Sequence, residues 1–518
     1  MTSLGSDDFD RSQEAVFQFL ADPGTHGLSE PVERVDTANA VVFLAGADVY
    51  KVKRAVKFPF MDLSTLDKRH DACEAEIAVN RASAPQIYLS ALPITRRGQA
   101  LVLGRDGETV EWVVHMRRFD ENATLDRIAD RGDVSDGVID KLALAIRRMH
   151  ARAPVRDAAR AAHALETYID QNRAAFAERP DLFDPPAVRK LTDDSRLAFA
   201  NVRPVLLERG EAGFVRRCHG DLHLRNIVLI EGEPTLFDAV EFSDEIASGD
   251  VLYDLAFLLM DLEERGLRAA ANRLFNRYLA SEPPEALTGL AALPFFLSLR
   301  AAIRAKVEVA NAERVEGEKR DEARALARRY FDCAVRFLAS ASPRLVAVGG
   351  LSGVGKSALA GVLAPEIGRA PGALWVRSDV ERKAMFGIEE TDPLPASAYA
   401  GDVTRDVYER LIAKARIALR AGQSVLLDAT FAAAAERSAA AAVAAEVSVA
   451  FAGLFLDAPL ATRLERIGAR QADASDANAD VARRQTAEPL GETGWAAVAA
   501  SGSLGDTTAR ARARLRGD

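Results

Sequence analysis

The spacing of apolar and polar residues over the first 210 positions predicts a small sheet followed by a helical region. Period-two alternation and short apolar runs indicate strands, whereas apolar residues three or four apart indicate amphipathic helices. The predicted strands are residues 41–45, 48–56, 101–104 and 111–116, and the predicted helices are residues 11–22 and 64–82. A helical tract then runs to about residue 210, with prolines at 180, 185 and 186 interrupting it.

The pattern changes near residue 340. Helical periodicity fills residues 261–340, and Ser340-Ala-Ser-Pro343 reads as a short linker, so we place the main domain boundary between residues 1–340 and 341–518. Strands and helices alternate beyond it. The predicted strands are residues 344–349, 373–379, 424–430 and 447–456, with a helix over about 402–421. This alternation predicts a parallel sheet covered by helices, with a ligand at the carboxyl ends of the strands.

Composition narrows the class of protein. A chain of 518 residues is too long for one core, and its 48% hydrophobic and 28% charged residues are typical of a globular protein. The net charge of −9 argues against a nucleic-acid partner, which would require a basic face. No apolar run predicts a membrane span or a signal peptide, and three scattered cysteines predict no disulfide framework. We therefore expect a cytoplasmic protein.

One segment carries a specific phosphate-binding pattern. Residues 350–357 fit G-x-x-x-x-G-K-[ST] at every fixed position, between a predicted strand and a helix-forming segment. Glycines there let backbone N–H groups turn inward toward an anion at a helix N-terminus. Lys356 would reach the β- and γ-phosphates of ATP, and Ser357 would ligate Mg²⁺. The remaining residues expected to bind the nucleotide are Gly350, Ser352, Gly353, Val354 and Gly355.

Acidic and basic residues follow at the expected edge of the sheet. Asp428 ends a predicted strand and is the expected acid holding Mg²⁺ through water. Asp379 ends another, where small P-loop kinases bind their acceptor, although either aspartate could instead cap a helix. Arg466 and Arg470 share a helical face before a polar loop, which resembles the lid of a small-molecule P-loop kinase. An exposed, salt-bridged helix is the alternative for these arginines.

A second motif lies in the first domain. Residues 217–229 contain H-G-D-x-x-x-x-N at His219 to Asn226, and Asp238 follows about a dozen residues on. Here the sequence resembles the aminoglycoside phosphotransferase family, which has the protein-kinase-like fold. The resemblance implies that Asp221 positions the acceptor hydroxyl, while Asn226 and Asp238 hold Mg²⁺.

The same resemblance implies further roles in a small lobe over about 1–116 and a helical large lobe over about 117–340. Lys53, or alternatively Lys51, would hold the α- and β-phosphates. Glu74, or alternatively Glu76, would orient that lysine. Met116 would lie at the hinge where adenine binds. The glycine-rich loop of protein kinases is not found before or between the first two strands, so no phosphate lid is assigned.

Nearly the whole chain also resembles bacterial fusions of an aminoglycoside phosphotransferase with an ATP-binding domain. The expected fold is thus an α+β bilobal kinase-like domain followed by an α/β P-loop domain. The expected activity is ATP- and Mg²⁺-dependent phosphoryl transfer to hydroxyl groups of small molecules by two modules. One alternative is a regulator in which one module senses ATP without transferring phosphate. Another is a polynucleotide-end kinase, which the acidic charge disfavours.

Overall fold

The structure is a computed structural model. It describes residues 6–37, 39–58, 61–104, 106–390, 392–469, 474–487 and 493–517. The chain divides into two compact units. Unit 1 comprises Met1–Ala164 and Gly213–Leu258, and unit 2 comprises Leu165–Ala212 and Leu259–Asp518.

The first half of the chain begins with the strands of a small lobe and continues into helices. Its elements in chain order are α1 (Ser6–Ala21), β1 (Glu33–Asp36), β2 (Ala40–Ala45), β3 (Asp48–Lys53), β4 (Lys57–Phe58), β5 (Met61–Asp62), α2 (Leu66–Asn80), β6 (Tyr88–Arg97), β7 (Ala100–Leu103), β8 (Glu108–Arg117), α3 (Leu125–Asp130), α4 (Asp136–Arg152), α5 (Ala158–Ala177), α6 (Pro185–Glu211), β9 (Val215–Arg217), β10 (Ile227–Ile230), β11 (Glu233–Leu236), α7 (Asp244–Ala247), β12 (Ser248–Asp250) and α8 (Val251–Glu264).

The second half begins with helices and then alternates strands with helices. Its elements are α9 (Arg268–Leu279), α10 (Leu293–Ala312), α11 (Glu318–Phe337), β13 (Arg344–Gly350), α12 (Lys356–Leu363), β14 (Leu374–Arg377), α13 (Ser378–Met385), α14 (Gly401–Arg420), β15 (Val425–Asp428), α15 (Ala434–Glu446), β16 (Ala450–Asp457), α16 (Leu460–Gly468), α17 (Ala479–Ala487), β17 (Ala496–Ala499) and α18 (Leu504–Arg516).

The small lobe of unit 1 is an antiparallel sheet in the order β1-β2-β3-β8-β6-β7. Its alternating apolar residues face two separate packing layers. Phe17 of α1 packs with Phe43 and Val52 on one side. Cys73 and Ile77 of α2 pack with Val114 on the other. Because α2 covers this second face, its buried residue Glu76 comes within reach of β3.

The second unit contains the predicted parallel sheet, in the order β14-β15-β13-β16-β17. Val346 and Val348 of the central strand β13 are fully buried, as expected for a strand covered by helices on both faces. In this sheet the structure differs from the sequence prediction in the bounds of several strands and in the number of strands. The strand predicted from residue 447 starts at Ala450, β17 was not predicted, and Asp379 lies in the first turn of α13 rather than at the end of β14.

Helix α9 covers the outer edge of this sheet at β14. Asn272 Nδ2 donates to the carbonyl oxygen of Ala373 at 3.0 Å. Asn276 donates to the same oxygen at 3.1 Å and accepts a hydrogen bond from the Trp375 N–H at 2.6 Å. These asparagines lie one helical turn apart, so their side chains take the positions that a neighbouring strand would fill.

Among the described residues, no single helix combines the length and apolar character needed to cross a bilayer. One pair of consecutive helical segments has the required length and apolar character together, Pro284–Ala291 and Leu293–Ala312. The angle between these two segments is 51°.

Candidate active sites

The backbone of the loop that carries His219 to Asn226 is hydrogen-bonded to a buried aspartate. Asp254 accepts hydrogen bonds from the backbone N–H groups of His219 at 3.2 Å and Gly220 at 2.8 Å. His150 Nε2 lies 3.0 Å from the same carboxylate. Gly220 has φ of +82°, and a Cβ there would lie 3.1 Å from Ala247 Cα. Burial lowers the pKa of His219, which contacts the Phe237 carbonyl oxygen at 3.0 Å. These contacts fit a bracing role for His219.

The two polar ends of this loop meet. Asn226 Nδ2 donates to Asp221 Oδ2 and to its backbone oxygen, both at 3.0 Å. His223 Nε2 lies 3.3 Å from Asp221 Oδ2, and its ring packs against Phe257 with centroids 5.2 Å apart. His223 is therefore a buried neighbour of Asp221, a contact that the sequence did not predict. The Asp221 side chain remains 41% exposed and accessible to an acceptor.

A two-stranded hairpin brings Asp238 to the same end as Asn226. Strand β10 starts directly after Asn226, β11 ends shortly before Asp238, and Ile227 pairs with Leu236. Asp238 has φ of +59°, which is strained for a residue with a Cβ. Its N–H donates to the Tyr88 hydroxyl at 3.1 Å. The Phe237 N–H also donates to the Asn226 carbonyl oxygen at 3.0 Å, so the hairpin brings Asn226 and Asp238 to the same end.

Of the candidate lysines and glutamates, Lys51 and Glu76 are the two that connect to Asp238. Lys51 Nζ lies 2.8 Å from Glu76 Oε1 and 3.1 Å from Asp238 Oδ1. The choice of Lys53 and Glu74 requires correction on this geometry. Lys53 is buried and contacts Glu76 and Glu241 instead of Asp238. Glu74 is exposed, and its Oε1 lies 3.8 Å from His70 Nε2.

Opposite charges control the ionisation of this cluster. Burial alone would raise the pKa of Glu76, but Lys51 and Lys53 outweigh it and lower that pKa to about 2. Burial alone would lower the pKa of Lys51, but Asp238 and Glu76 raise it well above its ordinary value. A charged ammonium is therefore held at the position where phosphate oxygens are expected.

Met116 lies near this cluster at the end of β8. It is partly buried in the apolar cluster that includes Tyr88 and Phe237, and it pairs with Val49 and Tyr88 in the sheet. The chain leaves the sheet just beyond it. Its proposed contact with adenine remains a prediction.

The second site is a backbone loop between β13 and α12. Gly350, Gly353 and Gly355 have φ of +140°, +83° and +101°. A Cβ on Gly353 would lie 2.6 Å from the Arg463 carbonyl oxygen, and one on Gly350 would lie 2.7 Å from that of Leu456. Only glycine allows this backbone conformation at such close approach.

A hydroxyl and a carboxylate meet where this loop enters its helix. Ser357 Oγ donates to Asp428 Oδ2 at 2.7 Å. Burial raises the pKa of Asp428, and Arg377 and Lys356 act in the opposite direction. Arg377 Nε lies 3.9 Å from Asp428 Oδ2, and sequence reasoning missed this arginine.

The loop opens into a cavity of about 1070 Å³. Residues from several segments line it, including Ser352–Ser357, Arg377, Asp379, Arg382, Tyr399, Tyr408, Asp428, Glu436, Arg466, Asp476, Arg484 and Gln485. Asp379 is thus in the cavity wall as predicted, although it reaches it from the first turn of α13, where the helix dipole favours an acid.

The lid arginines have different positions. Arg466 lines the cavity and donates to the carbonyl oxygens of Val354 at 2.8 Å and Gly502 at 2.9 Å. Arg463 is buried and donates to the Ser352 carbonyl oxygen at 2.9 Å, so it supports the loop. Arg470 lies outside the described residues. Arg484 of α17 is an exposed cavity residue that the sequence reading missed.

Both sites have side-chain oxygen atoms that could ligate a magnesium ion. Asn226 and Asp238 supply an amide and a carboxylate oxygen in the first, and the amide nitrogen of Asn226 already donates to Asp221, which leaves its oxygen for a ligand. Ser357 and Asp428 supply a hydroxyl and a carboxylate in the second. Hard oxygen ligands of this kind are those that Mg²⁺ prefers.

Comparison with known proteins places the chain in a family. A family model described as "Phosphotransferase enzyme family" matches residues 67–293, and one described as "AAA domain" matches residues 345–489. The uncharacterized protein Rv2004c of Mycobacterium tuberculosis is 31% identical over 455 residues, which cover 86% of this chain and 88% of the relative. This chain belongs to the same family. The uncharacterized protein Mb2027c of Mycobacterium bovis matches to the same extent.

This chain thus joins a phosphotransferase-family domain to a P-loop domain, which confirms the resemblance and the fold predicted from sequence. The matches support a small-molecule phosphotransferase.

Distant similarities to solved structures concern only the fold. A choline/ethanolamine kinase family protein from Mesorhizobium loti is 17% identical with a TM-score of 0.35, covering 62% of this chain and 98% of that one. A gluconokinase from Sinorhizobium meliloti is 21% identical with a TM-score of 0.25, covering 34% and 92%. Neither likeness says anything about the acceptor of this chain.

Proposed function

We propose that the chain transfers the γ-phosphoryl group of ATP to hydroxyl groups of small molecules, with one nucleotide-binding module in each half. The observation that carries this proposal is the grouping in unit 1 of an exposed aspartate, an adjoining asparagine and a lysine–aspartate pair. Asp221 lies 3.0 Å from Asn226, and Lys51 lies 3.1 Å from Asp238. These are the groups that phosphoryl transfer to a hydroxyl requires.

In the first module, Asp221 orients the acceptor hydroxyl and receives its proton. The acceptor oxygen forms a bond to the γ-phosphorus as the bond to the bridging oxygen breaks, and ADP leaves with that electron pair. Lys51 holds the α- and β-phosphates, and Glu76 holds Lys51. Asn226 and Asp238 would hold magnesium, which when bound neutralises charge on the phosphates.

In the second module, the N–H groups of residues 350–357 bind the phosphates, and Lys356 contacts the transferring group. Arg466 lies at the cavity wall beside the loop, where a guanidinium can stabilise charge on the phosphoryl group. Ser357 and Asp428 would hold a second magnesium ion. The acceptor binds in the remaining part of the cavity, toward Asp379.

The test is acceptor-dependent ADP release by the full-length chain, with a panel of sugars, amino alcohols, aminoglycosides and nucleosides. Asp221→Asn should remove the activity toward one set of acceptors, and Lys356→Ala the activity toward another. Asp193→Asn and Lys319→Ala, which change exposed residues on α6 and α11, are the matched controls.

Two outcomes would contradict the proposal. Acceptor-dependent release that persists in the double variant Asp221→Asn/Lys356→Ala would exclude both sites as its source. If Lys356→Ala abolished activity toward none of the acceptors but altered the rate of phosphoryl transfer at the Asp221 site, the P-loop module would be an ATP sensor rather than a second transferase.

A further inference from the structure

Five charged side chains from three segments of unit 1 form one connected network. Its members, in order of contact, are Asp238, Lys51, Glu76, Lys53 and Glu241. Negative and positive groups alternate along it. Lys51 joins Asp238 to one oxygen of Glu76, and Lys53 joins the other oxygen of Glu76 to Glu241. The proposed reaction uses the first half of this network and gives no role to Lys53 or Glu241.

The unused half is the more deeply buried. The Lys53 side chain is 1% exposed and that of Glu241 is 8% exposed, whereas Asp238 is 46% exposed. Burial alone would lower the pKa of Lys53, but Glu76 and Glu241 raise it above its ordinary value, so the ammonium stays charged. Because buried ion pairs contribute little net stability, a positional role is the better physical reason for this one.

The positions of Lys53 and Glu241 along the chain show which residue their ion pair can hold in place. Glu241 lies three residues after Asp238, and Lys53 lies two residues after Lys51 on β3. Both ends of the 238–241 segment are therefore attached by side chains to the same strand. Between them, the Ala239 N–H donates to Asn80 Oδ1 at 2.8 Å, which ties the segment to α2 as well.

Asp238 needs such support because its backbone is strained. A non-glycine residue at φ of +59° is in a strained conformation, which persists only where its surroundings determine it. Without the contact at Glu241, the 238–241 segment would keep its bonds to the Asn80 and Arg217 side chains but would lose its attachment to β3 at residue 241, and the Asp238 carboxylate would lose its fixed direction.

We propose that Lys53 and Glu241 form a positioning pair that holds Asp238 in the orientation needed to ligate the magnesium ion of the first site. This inference rests on the proposed function of that site. It divides the work of the two lysines: Lys51 contacts the nucleotide, and Lys53 fixes the segment that carries the metal ligand.

The test measures ADP binding by calorimetry to the full-length chain carrying Lys356→Ala, so that the P-loop site does not contribute. Each titration is run once with Mg²⁺ and once with EDTA. The variants are Lys53→Met, Glu241→Gln and the two combined. Lys57→Met, which changes an exposed lysine near β3, is the matched control.

Loss of positioning should weaken Mg²⁺-dependent ADP binding by about tenfold, as is typical when a group that orients a metal ligand is removed. Binding in EDTA should fall much less, because without a metal ion the phosphates are held by Lys51, which keeps its contact with Glu76. The combined variant should lose no more than the larger single loss, because the two residues act as one unit.

Other results would overturn the inference. Equal losses with and without Mg²⁺ would mean that the pair only stabilises the fold, and additive losses would mean that the residues act separately. A loss with Glu241→Gln and none with Lys53→Met would make Glu241 a direct metal ligand. If thermal melting shows that Lys53→Met does not fold, the comparison of binding with Mg²⁺ and with EDTA is made on the isosteric variant Glu241→Gln instead. If the Lys356→Ala chain without further substitutions binds no Mg·ADP, that result overturns the proposed function of the first module instead.

Discussion

The two phosphate-binding sites of this chain are built from different materials. The first is assembled from charged side chains on β3, on α2 and around the β10–β11 hairpin, and Lys51, Glu76 and Asp238 meet only in the folded unit. The second is one continuous loop whose backbone conformation depends on glycine. A site made of charges should fail when a charge or the pH changes. A site made of backbone should fail when a single methyl group is added.

The largest expected effect is at the acceptor of the first site. Asp221→Asn removes the group that receives the hydroxyl proton, and general-base contributions of this kind are worth roughly 10²–10⁴ in rate. We expect kcat of the first module to fall by that factor while its nucleotide affinity is retained. Single-turnover phosphoryl transfer in the Lys356→Ala background measures this. An unchanged kcat would remove Asp221 from the mechanism.

The charge-built site should also be sensitive to pH through Glu76. Its folded-state pKa is about 2 against an ordinary value of 4.5, so the unfolded state binds the extra proton between these values. The stability that Glu76 contributes is therefore present above pH 4.5 and lost as pH falls toward 2. Glu76→Gln should flatten this part of the pH profile and lower stability by about 3 kcal/mol at neutral pH.

Urea unfolding from neutral pH down through that window provides the measurement. Glu74→Gln is the matched control, because Glu74 is on the same helix but exposed and outside the network. Similar profiles for the two variants would show that the network does not determine this pH dependence.

The backbone-built site should respond instead to Gly353→Ala. The added Cβ would lie 2.6 Å from the Arg463 carbonyl oxygen at a φ that alanine rarely adopts. A strain of about 1–3 kcal/mol predicts roughly a tenfold or greater loss of Mg·ATP affinity at the P-loop. Gly361→Ala, in the following helix with 3.6 Å of clearance to Trp375, should bind normally. Calorimetry in the Lys51→Met background, which weakens nucleotide binding at the first site, compares the two variants, and equal affinities would contradict the argument.

The smallest expected effect concerns the support of the second site from outside its sheet. Asn276→Ala removes one of the two bonds to the Ala373 carbonyl oxygen and the bond from the Trp375 N–H, and it should lower the stability of unit 2 by about 1–3 kcal/mol, since the Trp375 N–H loses this partner at the sheet edge. Thermal melting against Asn201→Ala, an exposed change on α6, provides the comparison. Identical melting temperatures would show that α9 does not stabilise the β14 edge.

The same contrast explains what the sequence could predict. The P-loop is readable because its glycines, lysine and serine are adjacent along the chain. The lysine–glutamate pair was left open because strand alternation puts Lys51 and Lys53 on one face, and only the position of α2 selects between them. One signal was available: Glu76 lies beside Cys73 and Ile77 on the buried stripe of α2, whereas Glu74 does not.

Other features depend on tertiary context that local patterns do not contain. Asp379 follows an apolar run, and the strand ends two residues earlier than predicted because Ser378 already starts a helix. Strand β17 is a four-residue, alanine-rich segment with only Val498 deeply buried, so its pattern is too short to predict a strand. Arg377, Arg484 and Glu241 belong to no motif, and their importance follows only from what they approach.

The asparagine contacts between α9 and β14 also bear on how this gene can be rearranged. Helix α9 falls within residues 67–293, the span of the phosphotransferase match, yet it completes the sheet of the P-loop domain. A recombination event or cloning strategy that cut the gene at the linker would separate the sheet from its edge cover. Chimeras between relatives should therefore exchange α9 together with the P-loop half.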